Sequence, residues 1–405
     1  MIDSIRTAYN AQFSPDRYEA FLNHIHAAHP GQLDFRVAET PVFVPRQLTE
    51  KMLIACDDIV RTITQPDFKQ KTEAAIPADQ YVPGERTGSH TTFMAVDFAV
   101  CRDAETGELE PQLIELQGFP SLYGFQPYLS DSFRAHFTIP ETVSHLFGVA
   151  TNADYIARLR ELIVGDCDPE EVILLEIYPE KQKTRIDFAL TKQYIGIDAV
   201  CLTRIRKRGR QLFYEKDGRE ITIRRIYNRL IFDELAAMPD LKTEFRLTDD
   251  VDVDWVGHPN WFFRISKFTL PLIDSPYVPK SHYLSDLTDS DGGVPSDLEN
   301  YVLKPLFSFA GSGVKINVTA ADIDSIPESE RGNYLLQRKV RYEPVITAPD
   351  GQVKCEIRLL FIWPDNEDKP QLITNLARLS RGEMIGVRFN KDFDWVGGTI
   401  AYFER

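Results

Sequence analysis

Two short apolar segments in the first third of the chain carry acidic side chains at positions that a strand would normally bury. Residues 93–100 and 112–116 are joined by a glycine-containing turn, which predicts a β-hairpin. Side chains alternate along a strand, so Glu115 and Gln117 share one face, while Asp97 lies on the partner strand. Their carboxylate and amide oxygens are ligands that suit Mg²⁺ with bound phosphate. The hairpin therefore predicts a magnesium site, with a charged hairpin exposed to water as the alternative.

The composition is that of a globular protein large enough for two or three domains. The chain has 405 residues, of which 43% are hydrophobic and 26% are charged, so a sizeable core is possible. The formal net charge of −15 argues against a nucleic-acid partner, because such partners need a dominant basic surface. The basic run over residues 204–210 precedes an aromatic stretch and a turn, which predicts an exposed hairpin strand.

The cysteines and the N-terminal sequence favour a cytoplasmic protein. The five cysteines are scattered and lack the CxxC pairs and His-rich spacing of zinc sites, which predicts reduced thiols. Residues 1–13 lack the basic segment and apolar stretch of an export signal, and no window has the roughly eighteen apolar residues of a membrane span. We therefore expect a cytoplasmic location without a membrane partner, while the oligomeric state is left open.

Three successive patterns predict the domain organisation. Residues 1–150 combine helical spacing near residues 4–29 and 46–63 with the hairpin, and form an N-terminal helical region plus the metal-binding strands. Residues 151–260 alternate between helices and strands, which predicts an α/β substrate domain with a partly parallel sheet. Residues 261–405 are rich in strands separated by turn residues, which predicts a mainly antiparallel sheet.

The sequence also predicts the limits of individual strands and of a linker within these three parts. In the α/β part, residues 221–227 predict one strand that follows a hairpin. Residues 284–299 are rich in Ser, Asp and Gly and predict a linker or lid. The strands expected after this segment are residues 301–305, 311–318, 334–340, 355–362 and 371–380.

A strand that ends in a lysine leads into a glycine loop. Lys304 lies near the end of the strand, and Gly311, Ser312 and Gly313 follow it. A cation beside flexible backbone amides suits the phosphates of a nucleotide. The segment lacks the GK[ST] of a Walker loop and the third glycine of a dinucleotide fingerprint. A hairpin turn with a solvated lysine is the alternative interpretation.

Two later strands place arginines within apolar stretches. Arg358 lies in the apolar segment 355–362, where a buried arginine needs a partner. The strand period of two offers Glu356 as a structural partner, and this pair is the alternative to a role in the site. Arg378 adds a second cation on the next strand.

In this order, the lysine strand, glycine loop, hinge and strand arginine resemble the nucleotide-binding half of an ATP-grasp enzyme. The expected hinge consists of Gln337, Arg338, Lys339 and Val340, which follow an apolar strand. Such an enzyme should next show an Asp and a Glu-x-Asn that bind magnesium, but here that pair of strands comes earlier, at Asp97. The chain is therefore similar to the circularly permuted ATP-grasp family that contains the synthetase domain of glutathionylspermidine synthase.

The resemblance runs over about residues 90–400 and implies a fold class. The expected architecture is α/β (α+β), a circularly permuted ATP-grasp fold. Its parts are a pre-ATP-grasp α/β domain over residues 151–260 and an antiparallel nucleotide-binding sheet over residues 261–405. Three further stretches share the resemblance, namely residues 183–190, 224–229 and 265–271.

The resemblance also implies ATP and Mg²⁺ as cofactors, and it gives roles to individual residues. Lys267 matches the family's early nucleotide-contacting lysine and joins Lys304 at the phosphates. By the same comparison Arg358 would contact the reacting phosphates. We predict Arg378, the cation on the next strand, as a second catalytic residue. Adenine would lie near residues 337–340.

Two positions depart from the family pattern. Gln117 stands where Asn is usual, which keeps the amide chemistry, whereas Ala95 stands where an arginine is expected to contact an acyl phosphate. The expected substrate wall contains Ser121, Arg225 and Arg229, and a structural role is the alternative for Arg225.

The function that the resemblance implies is that of an ATP-dependent carboxylate–amine ligase. It would form an amide or peptide bond through an acyl phosphate and release ADP and phosphate, with a small-molecule acid and amine as its partners. The alternative is a non-catalytic ATP-binding regulatory or scaffold protein of the same fold, which Ala95 favours.

Overall fold

The structure is a computed structural model with a mixed α/β fold. It describes residues 1–86, 88–287, 293–307, 313–382, 385, 390 and 392–405. The α-helices in this part of the chain are α1 (Asp3–Gln12), α2 (Pro15–Ala28), α3 (Arg46–Ile63), α4 (Phe68–Lys71), α5 (Phe125–His136), α6 (Asn152–Val164), α7 (Arg185–Ile195), α8 (Phe232–Ala236), α9 (Trp261–Arg264) and α10 (Ala320–Asp324). Its strands are β1 (Val42–Val44), β2 (Phe93–Arg102), β3 (Leu109–Gln117), β4 (Val143–Ser144), β5 (Val172–Glu176), β6 (Asp198–Cys201), β7 (Arg206–Arg208), β8 (Gln211–Lys216), β9 (Arg219–Ile223), β10 (Arg225–Asn228), β11 (Asp254–Val256), β12 (Ser281–Tyr283), β13 (Tyr301–Pro305), β14 (Tyr334–Arg338), β15 (Ile346–Ala348), β16 (Gly351–Ile362), β17 (Gln371–Ser380), β18 (Gly397–Thr399) and β19 (Ala401–Glu404).

The central element is a six-stranded antiparallel sheet. Its strand order is β18-β17-β16-β2-β3, and β15 pairs with β16 outside this path. The predicted hairpin, β2 and β3, is therefore completed by strands from the last part of the chain. In the register of the sheet, Asp97 lies opposite Arg358 on one side and Glu115 on the other. This register aligns an arginine and two carboxylates across three strands.

One face of this sheet packs against α3. Leu48 and Met52 are spaced at helical intervals on α3 and share a buried cluster with Val96 and Phe98 of β2. Burying each such side chain contributes about 1.5–3 kcal/mol. Because side chains alternate along a strand, Asp97 points to the opposite face of the sheet. The packing of α3 therefore directs the charged row toward the other face.

The middle of the chain forms a parallel sheet and a separate hairpin sheet. The parallel strands have the order β11-β10-β5-β6, as the βαβ pattern predicts, and β7-β8-β9 form an antiparallel sheet. The prediction of a single strand over residues 221–227 was wrong, because β9 and β10 belong to different sheets. The change of partner occurs at Arg224, whose backbone N–H donates to the carbonyl of Glu171 at 2.8 Å.

A third antiparallel sheet, β12-β14-β13, carries the lysine strand. The strand predicted over residues 311–318 is reduced, within the described residues 313–318, to one bridge between Lys315 and Leu303. The chain passes from a turn at Gly313, with a φ of 70°, to the capping box of α10 at Thr319, which leaves little length for a strand.

The first and the last strand of the chain's described part pair in a small sheet. Strand β1 runs parallel to β19, which pairs on its other side with β4. The helical pattern over residues 4–29 is divided into α1 and α2 because Ser14 caps a new helix before Pro15. The five cysteines are free, and in the described part of the chain no helix has the length and apolar character needed to cross a membrane.

Candidate functional site

The charged row across β16, β2 and β3 contains a buried ion pair. Arg358 Nε donates to Asp97 Oδ1 at 2.6 Å, and Arg358 Nη2 donates to Oδ2 at 2.5 Å. The side chain of Asp97 is 0% exposed and that of Arg358 is 12% exposed. A buried carboxylate is costly without a paired cation, so the bidentate arginine explains how β2 tolerates an acid. The alternative pair of Arg358 with Glu356 is not observed.

A second ion pair lies beside the first. Arg378 Nε donates to Glu356 Oε1 at 2.9 Å, and Arg378 Nη2 donates to Asp97 Oδ2 at 3.4 Å. Burial raises the pKa of Glu356, and the charge of Arg378 opposes this shift. Burial also lowers the pKa of Arg378, but the carboxylates of Glu356 and Asp97 outweigh it and raise this pKa. Arg378 therefore remains cationic, and it shares the carboxylate of Asp97 with Arg358.

The amide of Gln117 lies between two carboxylates. Its Nε2 donates to Glu115 Oε2 at 2.9 Å and approaches Asp97 Oδ2 at 3.4 Å. The two acids thus converge on one donor atom, and a rotation of the amide would present an oxygen instead. Among the described residues no group of three or more His, Cys, Asp or Glu side chains could hold a metal ion. Asp97, Glu115 and Gln117 fit Mg²⁺ as two carboxylates and one amide oxygen. Phosphate or water oxygens would have to complete the coordination of the ion.

Lys304 lies beside this row on the neighbouring sheet. Its Nζ donates to Gln337 Oε1 at 2.5 Å and to the carbonyl of Ile114 at 3.4 Å. Ile114 occupies the bulge of β3 next to Glu115, which brings its carbonyl within reach of the lysine. Burial lowers the pKa of Lys304 to about 8, and the negative charge of Glu115 opposes this shift. The lysine therefore shares its surroundings with the predicted metal ligands.

Lys267 reaches the same region from a different segment. It is buried at the start of a 3₁₀ turn that Ser266 caps, and its Nζ donates to the carbonyl of Pro305 at 3.1 Å. Burial lowers the pKa of Lys267, while the charges of Glu115 and Asp233 act in the opposite direction. The negative charge of Glu115 therefore acts on both lysines.

The predicted hinge only partly joins the cluster. Gln337 is buried and accepts the hydrogen bond from the lysine on β13, and its Nε2 has no partner among the described residues. Arg338 and Lys339 instead contact the segment 297–299, through a carboxylate at 3.4 Å and a carbonyl at 2.8 Å. Val340 is half-buried. Within the predicted hinge, Gln337 Nε2 is thus a buried hydrogen-bond donor without a partner among the described residues.

The glycine loop is described only at its end. Gly311 and Ser312 lie outside the described residues, so their predicted role stays a prediction. A Cβ added at Gly313 would lie 2.9 Å from Pro305 Cγ, and its φ of 70° also favours glycine. Gly313 therefore allows the chain to pass close to the end of the lysine strand.

The loop after β3 contains the predicted substrate residue Ser121, which is half-buried. Arg229 Nη1 donates to the carbonyl of Pro120 at 2.5 Å, and its guanidinium lies 5.2 Å from the ring centre of Phe119. Asp187 of α7 accepts two backbone hydrogen bonds at the other end of this loop, at 3.1 and 2.9 Å. The α/β part therefore holds the loop against the charged sheet.

Arg225 lies at the opposite end of β10 from Arg229. Its Nη2 donates to the carbonyl of Leu162 at 3.1 Å, and the guanidinium packs against Gly165. These are the contacts of a structural cation, which was the alternative interpretation. The structure does not bring Arg225 to the other candidate residues.

Sequence reasoning missed two acids near this loop. Glu176 ends β5, and burial raises its pKa to about 8 against the hydrogen bond from Ile177 and the charge of Arg229. Burial also raises the pKa of Asp187. Ligand sites in α/β sheets lie at the carboxyl ends of parallel strands, so an acid that ends an apolar strand was a usable signal. Asp187 was detectable as an acid on the apolar face of a helix.

Comparisons with known proteins inform the fold but not the sequence family. The sequence matches no family model and no curated protein. The structure is similar to that of a glutathione synthetase-like effector (GSS30) from Globodera pallida in its apo form, with a TM-score of 0.59 and 10% identity over 96% of each chain. The chain has a glutathione synthetase-like fold. This likeness and the several antiparallel sheets are consistent with the predicted ATP-grasp class.

Proposed function

We propose that the protein is an ATP-dependent carboxylate–amine ligase of the circularly permuted ATP-grasp kind. It forms an amide or peptide bond through an acyl phosphate and releases ADP and phosphate. The glutathione synthetase-like fold supports the reaction class. The permutation is supported by the position of the hairpin, since β2 and β3 precede the lysine strands in sequence but lie beside β16 in the sheet.

The observation that carries this proposal is the convergence of cations and acids at one place. The cations are Lys267, Lys304, Arg358 and Arg378, and the carboxylates are Asp97, Glu115 and Glu356. The ammonium group of Lys304 donates to two neutral acceptors, Gln337 Oε1 and the carbonyl of Ile114, so a carboxylate does not take its hydrogen bonds. A partly buried site that combines several cations with carboxylate and amide oxygens suits a polyphosphate that arrives with a divalent cation.

The chain's own residues would position the reactants. Lys267 and Lys304 bind the phosphates, and Asp97, Glu115 and Gln117 would hold Mg²⁺. When bound, Mg²⁺ neutralises charge on the β- and γ-phosphates. Orientation alone can contribute on the order of 7–11 kcal/mol to lowering such a barrier.

The proposed reaction consists of two displacement steps. A carboxylate oxygen of the acid forms a bond to the γ-phosphorus, and the bond from that phosphorus to the bridging oxygen of ADP breaks. The amine nitrogen then attacks the acyl carbon, phosphate leaves with the former carboxylate oxygen, and the amine gives up a proton. Arg358 and Arg378 neutralise the charge that develops on the transferred group.

The hinge would contact the adenine of ATP, and the loop after β3 would contact the substrates. The unpaired Nε2 of Gln337 would donate to a ring nitrogen of adenine, with Arg338, Lys339 and Val340 beside it. The substrates would lie against Ser121 and the loop held by Arg229.

A second candidate is a nucleotide-binding protein without ligase turnover, and Ala95 favours it. Ala95 is fully buried and shares an apolar cluster with Phe93, Tyr123 and Leu360. Where the resemblance expects an arginine near the acyl phosphate, β2 therefore presents only a methyl group.

The nucleotide products decide between these functions. The purified protein is incubated with ATP and Mg²⁺ across a panel of acids, each paired with amino acids and polyamines, and ADP, AMP, phosphate and pyrophosphate are quantified. ADP and phosphate in equal amounts are expected, and both should disappear when Lys267 and Lys304 are replaced by alanine. AMP as the main product would contradict the ligase proposal. ATP binding without turnover for any pair would favour the second candidate.

A further inference from the structure

A cavity adjoins the charged row on the side away from the hairpin. It has a volume of about 440 Å³ and lies between α5 and the β17-β18 edge of the six-stranded sheet. Arg358 and Arg378 form part of its wall, so it opens onto the proposed reaction centre. The metal residues and Lys304 lie toward β3 instead, on the other side of the two arginines. The cavity is therefore separate from the region assigned to the nucleotide.

The charges of this cavity all have one sign. Among the described residues that line it, Arg36, Lys183, Arg358 and Arg378 are basic, and none is acidic. The three arginines have carboxylate partners outside the lining, while Lys183 is exposed and has no ion pair among the described residues. A lining with this charge favours an anionic ligand.

The remainder of the lining is mostly apolar. It includes buried side chains from α5, β17 and the segment before β18. The apolar residues that matter here are Phe35, Leu122, Phe125, Leu129, Leu376 and Val396. A cavity of about 150 Å³ holds one benzene, so this space accommodates a ring or branched chain together with a short polar linkage.

One polar side chain in this apolar lining lacks its hydrogen bonds. Gln126 of α5 is 0% exposed and lines the cavity. Neither its Oε1 nor its Nε2 has a partner among the described residues. A buried amide without partners is costly, and a ligand that carries both an acceptor and a donor would remove this cost.

We propose that this cavity binds the acid substrate, and that this substrate is a carboxylic acid with an apolar body and an amide close to its carboxylate. An N-acylated apolar amino acid or a short peptide with an apolar C-terminal residue has this chemistry. The carboxylate faces Arg358 and Arg378, the apolar body lies against Phe125 and Leu129, and the amide pairs with Gln126. The identity of this ligand as the acid substrate rests on the proposed ligase function, whereas its binding does not.

Binding of three probes to the full-length protein tests the proposal without requiring turnover. Calorimetry compares N-acetyl-L-phenylalanine, N-acetyl-L-glutamate and 3-phenylpropionate, with and without a non-hydrolysable ATP analogue and Mg²⁺. N-acetyl-L-phenylalanine should bind at least about tenfold more tightly than N-acetyl-L-glutamate, because burial of the ring supplies the difference. It should also bind more tightly than 3-phenylpropionate, which lacks the amide. Equal affinities for the phenylalanine and glutamate probes would overturn the proposal.

The variant Gln126→Leu tests the polar contact. It should abolish the advantage of N-acetyl-L-phenylalanine over 3-phenylpropionate while leaving the affinity for 3-phenylpropionate unchanged. Because the variant removes an unsatisfied buried amide, its melting temperature should equal or exceed that of the unmodified protein. The matched control is Gln70→Leu, the same exchange at an exposed position, which should alter neither probe. A lowered melting temperature with an unchanged preference between probes would instead make Gln126 a structural residue.

The two proposals can fail separately. Selective probe binding without ADP release would remove the ligase function and leave the cavity as a binding site. ADP release that favours polar acids, with no selectivity between the probes, would leave the ligase function and remove the cavity from it.

Discussion

The surroundings of Lys304 explain why we propose this residue as a phosphate contact. Its hydrogen bonds go to a side-chain amide and a backbone carbonyl, which are neutral acceptors. Burial lowers the pKa of this lysine to about 8, so part of its charge is lost near neutral pH. An arriving phosphate favours the charged form, because opposite charges stabilise each other in a desolvated site. ATP binding and protonation of Lys304 should therefore be coupled.

Replacing Lys304 by alanine should weaken ATP binding without unfolding the protein. The loss of a charge-assisted hydrogen bond costs roughly 1.5–3 kcal/mol, which corresponds to about a 10- to 150-fold increase in Kd. Calorimetric titration with ATP and saturating Mg²⁺ gives the affinity. The matched control is Lys315→Ala, because Lys315 pairs with Asp322 and has no contact with the cluster. An unchanged Kd for the Lys304 variant would remove this residue from the nucleotide site.

The affinity for ATP should also depend on pH with a definite sign. The pKa of Lys304 is about 8 in the free protein and rises when phosphate binds, so binding takes up a proton as the pH increases above 8. Affinity should be constant below this value and fall by up to about tenfold per pH unit above it, until the pKa of the complex is reached. Titrations between about pH 7 and 9.5 measure this. The Lys304→Met variant should lack the slope, and a slope that persists in this variant would assign it to another group.

Asp97→Asn should affect metal binding more than binding of the base. The variant should raise the Mg²⁺ concentration needed for half-maximal turnover and leave adenosine affinity unchanged, because adenine is expected across the hinge. Removal of this charge also leaves Arg358 without its carboxylate, which can destabilise a protein by about 3–5 kcal/mol. Glu115→Gln is therefore measured in parallel, because the carboxylate of Glu115 forms no ion pair with an arginine in the described part of the chain. Equal losses of ATP and adenosine binding in both variants would indicate a structural role.

At the scale of elements, the sequence predicts what local periodicity determines. The spacing of apolar residues gives both ends of α3, and alternation with turn signals locates β17 and the β2-β3 hairpin. The split between β9 and β10 could not be predicted, because Arg224 and Arg225 interrupt the apolar residues without indicating that the two halves join different sheets. The sequence likewise predicts Asp97 as a candidate metal ligand and Arg358 as a candidate catalytic residue, but it does not predict the ion pair between them. That contact joins strands 261 positions apart and depends on the order of the strands.

The packing of α3 on the sheet can be tested within one helix. Met52 is fully buried against the six-stranded sheet, so Met52→Ala should lower the free energy of unfolding by about 2–5 kcal/mol through lost transfer energy and a cavity. The adjacent Leu53 is 36% exposed, and Leu53→Ala should cost less than about 1 kcal/mol. Urea denaturation followed by circular dichroism gives both values. Similar losses for the two variants would contradict the assigned face of the helix.

Over the whole molecule, the similarity to a solved structure lies in the fold and not in the sequence. At 10% identity the chain matches a glutathione synthetase-like effector over 96% of both lengths. Fold similarity at this level does not transfer an activity, so the chemistry has to be judged from the side chains that the fold brings together. The six-stranded sheet brings the early hairpin against the late arginine strands, and the proposed reaction needs both.

The path of one oxygen atom tests whether the proposed reaction passes through an acyl phosphate. If the acid forms an acyl phosphate, one oxygen of its carboxylate leaves with the phosphate when the amine attacks. An acid labelled with ¹⁸O at both carboxyl oxygens should therefore yield, in unlabelled water, one labelled oxygen in the phosphate and one in the amide for every ADP formed. Mass spectrometry of the phosphate measures the transfer, and the same reaction without the amine is the control, which should be slow because the closed site shields the acyl phosphate from water. Label in AMP would mean attack at the α-phosphate, and unlabelled phosphate would mean that water, not the carboxylate, attacks ATP.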